Sequence, residues 1–428
     1  MLNKKAALFT VFLAVLIDLI GFGLVLPLIP FYASEFKATP ITIGLIYSIY
    51  SFAQLICSPF WGNLSDKIGR RPIMLISTFG ACIAYIVFGL AGSIATLFIS
   101  RLFAGVMGGN ISAAQAYVAD VTTHEDRAKG MGLIGAAFGI GFLLGPAIAS
   151  LLISPKFLSL FHINEAYKYM IPGFFAAGLS LLSFIFVYFK LPETVIKNQT
   201  QKTDPERISK SSIFSKSFWA NILAERPSGP KFLFPILILC VFLLSFGQAS
   251  LYSSFPLFCK TQLNISVEKV GLLFAFMGLI AIFVQGGLIR VLVKKFKEEK
   301  IFLVGSILMV IGFCLIPLSA TKNHLLLMLI PLALGGSLTA PTLTSFISKE
   351  ADPSKQGQAM GTSQGISALG RATGPAWGGF LYSISFIAPF VVTAGIIVLT
   401  VIAGIVILKV RGKTETGNQN SETREKTA

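Results

Sequence analysis

Charged side chains are scarce in this sequence. They make up 13% of its 428 residues, about half of the roughly 25% carried by an ordinary soluble domain. That deficit excludes a water-soluble globular chain. Cysteine is scarce as well: Cys57, Cys82, Cys240, Cys259 and Cys314 are scattered with no CxxC pair. Core filling accounts for them better than a zinc site or a disulfide framework. The three histidines, His124, His162 and His324, form no cluster, so no metal and no cofactor is predicted. No stretch has the length of a sizeable soluble domain, and the apolar segments hold no Ser/His/Asp set or phosphate-binding loop. An enzyme is therefore not expected.

Apolar length is what the sequence has instead. Hydrophobic residues are 54% of the chain and the mean hydropathy is +0.77. Runs near 20 residues suffice to carry a helix across a hydrocarbon layer of about 30 Å. Punctuation and charge place twelve such runs, at 6–33, 41–61, 72–92, 94–119, 128–153, 168–190, 231–258, 268–290, 299–320, 324–348, 357–383 and 386–409. The first is read as a span, because it is too long for a signal peptide and no small-residue cleavage site follows it.

The net charge of +16 follows from topology and does not call for nucleic acid. With both termini cytoplasmic, 27 Lys and Arg fall on the inner side and 6 on the outer side, with Arg101 and Arg371 inside helices. Cationic loops are retained in the cytoplasm, so this asymmetry orients the chain.

The chain is also written twice. Gly62 and Gly287 differ by 225 positions, Pro30 and Pro256 by 226, Gly108-Gly109 and Gly335-Gly336 by 227. Met131-Gly132 and Met360-Gly361 differ by 229, as do Gly145-Pro146 and Gly374-Pro375. Near-constant offsets predict two six-helix halves in the same orientation, 1–190 and 231–410. The polar linker 191–230 carries ten charged residues. Within it Phe214, Phe218, Trp219, Ile222 and Leu223 share one face, predicting an amphipathic surface helix over 211–225. The tail, 411–428, is expected to be disordered.

Between the second and third apolar runs lies Gly62-Asn-Leu-Ser-Asp66-Lys-Ile-Gly69-Arg70-Arg71-Pro72, a denser charge cluster than a hairpin needs. GxLSDxxGRRP in this position resembles the signature loop of the major facilitator superfamily. The wider string FAQLICSPFWGNLSDKIGRRP is similar to the drug-proton antiporter branch that contains the tetracycline exporters. The resemblance implies an all-α membrane protein, twelve transmembrane helices in two pseudo-symmetric halves. It also implies a latch: Asp66 would meet the start of helix eleven, near Gln356-Gly357, and Arg70 would pair with Asp120, when the inner side is closed. Gly62 and Gly69 belong to the same motif.

Three ionisable residues lie well inside the spans, where each costs several kcal/mol (~3 or more). Asp18 sits mid-span in helix one. A buried carboxylate there can take up and release protons, or can be a structural group held by an arginine. The spacing Asp18-x-x-Gly-x-Gly-x-x-x-Pro27-x-x-Pro30 resembles the first helix of drug-proton antiporters and favours the first reading. Arg101 shares a helix face with Gly105 and Gly109 and resembles the family's helix-four arginine, associated with proton transfer; a structural arginine bonded to carbonyls is the other reading. Arg371 is placed at the interface between halves. Gly141-x-x-x-Gly145-Pro146 resembles the antiporter element of helix five.

In the fold that the resemblance implies, helices one, four, seven and ten face a central cavity. Phe22, Asn110, Gln115, Gln248, Tyr252, Phe255 and Thr339, with Arg371, are its candidate lining, a surface suited to lipophilic or cationic organic molecules. The resemblance is not complete. Tetracycline exporters carry an acid before a tyrosine in helix three, where this chain has Ala84 before Tyr85, and helix nine holds no charge. The chain is thus tetracycline-exporter-like, with tetracycline itself not the expected substrate. The expected function is proton-coupled efflux of small organic molecules by alternating access, from a bacterial inner membrane, as a monomer. The alternative is an importer or metabolite exchanger on the same fold.

Overall fold

The computed structural model describes residues 4–122, 127–194, 232–350 and 356–425, all of whose regular elements are helical. The predicted amphipathic helix at 211–225 lies outside them. The twelve spans are α1 Lys4–Val25, α2 Pro40–Ile68, α3 Arg70–Gly89, α4 Ile94–Val121, α5 Arg127–Leu152 and α6 Met170–Lys190 in the first half. The second half holds α7 Leu233–Thr261, α8 Val267–Lys295, α9 Glu298–Leu318, α10 Lys322–Glu350, α11 Gln356–Ile384 and α12 Ala388–Glu425. The backbone of α12 is helical to Glu425, through most of 411–428, the tail that the sequence predicts to be unstructured.

Eleven of these helices are long and apolar enough to cross a membrane, and α11 is the exception. Its 29 residues include seven glycines, several Ser and Thr, and Arg371. A helix covered by other helices needs less hydrophobicity than one facing lipid. α11 lies between α7 and α2: Gly370, Gly374 and Gly378 press on α7, and Gly379 presses on Pro40 of α2.

Breaks fall at recognisable residues. The predicted run 6–33 is divided after Val25, where Pro27 and Pro30 end one helix and open a short one, Ile29–Glu35, because proline cannot donate the continuing hydrogen bond. The charge cluster after the second run is not a loop. Helix α2 runs through Asp66 to Ile68, and Gly69 alone, at φ 110°, turns the chain into α3. A side chain would be strained at that φ.

The duplication is visible in contacts. A Cβ on Gly145 would lie 2.7 Å from Gly23 Cα and from the Ile20 carbonyl oxygen of α1. A Cβ on Gly374 would lie 2.5 Å from the Phe246 carbonyl oxygen and 3.0 Å from Ala249 of α7. Gly141 on Leu19 is likewise matched by Gly370 on Ser245 and Phe246. Small residues four apart let the two backbones touch, the close-packing mode of membrane helices.

Contact between the halves is concentrated towards one face, that of Pro40, Leu152, Val267 and Ile384. There α2 meets α11: a Cβ on Gly44 would reach the Pro375 carbonyl oxygen at 2.3 Å, and Ala376 N–H donates to Ser48 Oγ at 2.9 Å. There too α8 meets α5: a Cβ on Gly271 would reach the Pro146 carbonyl oxygen at 2.7 Å, and Ser150 Oγ donates to the Glu268 carbonyl at 2.5 Å. At mid-depth Gly278 of α8 meets Leu143 of α5, and towards the face that bears the termini no close glycine contact joins the halves among the described residues. The halves close at one face and stand apart at the other.

Candidate functional site

A narrow cavity of about 10 Å³ lies between the halves near the closed face. Its wall is Phe22 and Val25 of α1, Leu26, Ile29, Tyr47, Tyr50 and Ser51, Arg101 of α4, Tyr252 of α7 and Pro375 of α11. Aromatic rings dominate: Phe22 and Tyr50 have centroids 5.1 Å apart, Phe142 stands edge-on to Phe22 at 5.9 Å, and Tyr252 stacks on Phe142 at 6.3 Å. The Tyr47 hydroxyl donates to the Leu26 carbonyl, which ties α2 to the kink after α1.

Of the residues expected to line a cavity, Phe22 and Tyr252 do so. Asn110 is fully buried, and both atoms of its carboxamide lack a hydrogen bond. Gln115 is half-buried and Gln248 exposed, outside this wall. Two expectations differ from the structure. Phe255 is fully buried against the edge of Phe274, at 5.4 Å, and Thr339 turns towards α9, its hydroxyl donating to the Gly335 carbonyl at 3.0 Å and touching Met309. Both lie on helices expected at the cavity, but on faces packed within their own half.

Asp18 is half-buried, one helical turn before Phe22. It faces the Asn110 carboxamide across the α1–α4 boundary, and Tyr50 and Tyr85 lie within electrostatic reach of it. The Tyr85 hydroxyl sits over Gly21, where a Cβ would come within 2.6 Å. Asp18 and Arg101 do not pair; no ion pair among the described residues includes either. Arg101 is 2% exposed and stacks on Phe88 and Tyr85, with centroids 4.9 and 5.5 Å from Cζ. Cation–π contact of this kind compensates part of the lost hydration.

Helix α4 is interrupted at Met107–Gly109, just beyond the Arg101–Gly105 face. The freed carbonyls find side-chain donors from neighbouring helices. Trp61 Nε1 donates to Val106 at 2.5 Å, Ser77 Oγ to Met107, and Gln54 Nε2 to Gly108 at 3.5 Å. Side-chain donors make such a break tolerable inside a membrane. The second piece of α4 begins at Asn110, so the interruption sets the residue that faces Asp18.

Arg371 is half-buried on α11. Its Nη1 donates to Ser367 Oγ at 2.6 Å, which in turn lies 2.8 Å from Ser245 Oγ of α7. It stands within electrostatic reach of Tyr252 and Tyr50. Tyr50 was not singled out by the sequence, and it proves to be the side chain that Asp18, Arg101 and Arg371 all approach.

At the open face, Arg70 is the centre of a network. Its Nη1 pairs with Asp66 and donates to Ser65 Oγ at 2.6 Å, while its Nε donates to Asp120 at 3.0 Å. Asp66 is 44% exposed. The Glu193 carboxylate accepts the backbone N–H groups of Arg70 and Arg71, at 2.9 and 3.1 Å. It thereby caps the N-terminus of α3, where backbone donors are otherwise free and the helix dipole favours an anion. Sequence reasoning passed over Glu193; its signal, an acid following Leu191-Pro192, is short and common. Thr194 Oγ1 donates to Asp120 at 3.1 Å, and the Tyr117 hydroxyl donates to the Pro192 carbonyl at 3.0 Å.

Comparison with known proteins agrees with this architecture. Multidrug resistance protein 2 of Bacillus subtilis is 26% identical over 394 residues, covering 91% of this chain and 92% of the relative. Tetracycline resistance protein, class C, of Escherichia coli is 26% identical, covering 87% and 89%. The crystal structure of the human organic anion transporter MFSD10 superposes with a TM-score of 0.69 at 25% identity, over 94% of this chain and all of that one. The sequence also matches the profile of the Major Facilitator Superfamily over residues 11–375 and 237–427. This twelve-helix, multi-pass membrane protein belongs to the Major Facilitator Superfamily.

Proposed function

We propose that the chain is a secondary active transporter that exports small organic molecules by alternating access, coupled to proton entry. The observation that carries this reading is the asymmetry of the interface: the two halves close on one face, stand apart on the other, and hold an aromatic cavity between them. A pair of bundles that can exchange which face is closed moves a ligand across without opening a pore. The relatives named for multidrug and tetracycline resistance favour export of drug-like molecules over uptake.

Each part of the site takes a role under this reading. Asp18 is the proton-coupling group, the one acid well inside the spans, positioned one turn from the cavity wall. Arg101 sets the field around it through Tyr50 and Tyr85. The Gly141–Gly145–Pro146 element holds α5 against α1 beside Asp18 and gives α8 its contact at the closed face. Asp66 and Arg70 form a latch that engages α11 when the open face shuts; Asp120 and Gly69 hold Arg70 in place, and Gly62 leaves room for the approach. Under this reading the open face, its cation-rich loops and both termini are on the cytoplasmic side of a bacterial inner membrane. The protein acts as a monomer, with no covalent chemistry of its own.

Transport direction is the test. In vesicles with an imposed proton gradient, an exporter accumulates substrate in the inside-out preparation. Accumulation only in right-side-out vesicles would make it an importer.

A further inference from the structure

Two guanidinium groups stand inside the membrane at the interface between halves, and neither has a carboxylate partner among the described residues. Arg101 lines the cavity, is 2% exposed, and keeps its Nη2 buried without a hydrogen bond. Arg371, one turn before the wall residue Pro375, donates to Ser367 and faces the wall tyrosines Tyr50 and Tyr252. No ion pair among the described residues includes Arg101, Arg371 or Asp18. The rings of Phe88 and Tyr85 replace only part of the hydration Arg101 has lost, and Arg371, half-buried, has Ser367 as its partner; a guanidinium held in the membrane without an anion remains costly. Two such groups beside one cavity need a reason, and a ligand that brings its own anion supplies it.

The geometry points to amphiphilic monoanions as the substrates, an aromatic body carrying one carboxylate. This inference rests on the reading of the cavity as the substrate site of a carrier. The rings of Phe22, Tyr50 and Tyr252 offer apolar and edge-on contacts to the body. Arg101 and Arg371 address the carboxylate, which guanidinium groups bind with two parallel donors. Two cations against the single acid Asp18 favour anions over the lipophilic or cationic molecules expected from the sequence. Energetically the choice suits an exporter: a proton entering and a monoanion leaving both carry positive charge inward, so an inside-negative potential drives both movements.

The full-length protein in proteoliposomes is offered two probes with one ring system and opposite charge, 2-naphthoate and 2-naphthylmethylammonium. Equilibrium binding should favour naphthoate by about tenfold or more. Arg371→Gln and Arg101→Gln should each weaken naphthoate about tenfold without weakening the ammonium probe, and Arg371→Lys should recover part of the loss; thermal unfolding confirms that each variant is folded. Ammonium binding as tight as naphthoate, no naphthoate binding at millimolar concentration, or unchanged naphthoate affinity in both glutamine variants would overturn the inference. The carrier reading is judged separately. It fails if a probe that binds shows no counterflow, and it stands if the ammonium probe binds better and is exchanged.

Discussion

Gly44 of α2 meets the carbonyl oxygen of Pro375 on α11 so closely that a Cβ there would approach to 2.3 Å. The same contact recurs in the other half-to-half seam, where Gly271 of α8 meets the carbonyl oxygen of Pro146 on α5 at 2.7 Å. Gly44 and Gly271 are 227 positions apart, and the two Gly-Pro elements are 229 apart. Proline in a helix leaves a carbonyl without its usual donor and permits a bend. A glycine from the opposite half packs on each of these prolines, so the closed face is a pair of equivalent seams.

Filling either seam should therefore open that face. Gly44→Val and Gly271→Val place methyl groups on backbone atoms that cannot rotate away. Both variants should shift the population outward and slow transport by about tenfold or more, since ~1.4 kcal/mol of bias changes a two-state equilibrium tenfold. Labelling of a Phe22→Cys variant by a membrane-impermeant maleimide from outside should rise in either background. No change in labelling would show that the seams do not hold the face shut.

The cap on α3 makes a second prediction. Glu193→Ala removes a charged acceptor from two backbone donors at once, and should cost about 1–3 kcal/mol of stability. Gly69→Ala should be at least as damaging, because its φ is 110° and a Cβ would lie 2.3 Å from a Glu193 carboxylate oxygen. Thermal unfolding in detergent measures both, and Glu193→Gln should fall between wild type and alanine.

The latch predicts a kinetic split. In this conformation Asp66 is exposed and, among the described residues, is held by Arg70 alone. Asp66→Ala should lower the maximal rate of transport several-fold and leave the substrate affinity measured in detergent within about twofold. A large loss of affinity would place Asp66 at the substrate site instead.

Much of this organisation is legible in the sequence, and the limits have physical causes. Apolar run length located the spans, and near-constant offsets pointed to two like halves, whereas the partners of the Gly-Pro elements, α1 for α5 and α7 for α11, emerge only from the structure. The resemblance implied an Arg70–Asp120 pair only when the inner side is closed; it stands at 3.0 Å with that face open, because both residues belong to the same half. Helix faces were harder to read. A membrane helix is apolar towards both lipid and protein, so Phe255 and Thr339 carried no periodic signal of which way they turn. The turn at Gly69 was overestimated because charges suggest a loop, whereas Lys, Arg and Asp tolerate a helix that projects beyond the bilayer. The interruption at Met107–Gly109 was hidden because glycine pairs serve close packing as readily as they break a helix. Its support by Trp61, Ser77 and Gln54 comes from residues 30 to 54 positions away.

The central claim is that the carboxyl of Asp18 couples proton movement to the alternation of the two halves. The most direct measurement is proton flux alongside substrate transport in proteoliposomes containing Asp18→Asn. The account predicts normal folding and retained downhill exchange, with substrate-linked proton flux and uphill accumulation both abolished. Proton flux and accumulation at wild-type levels in that variant would contradict it.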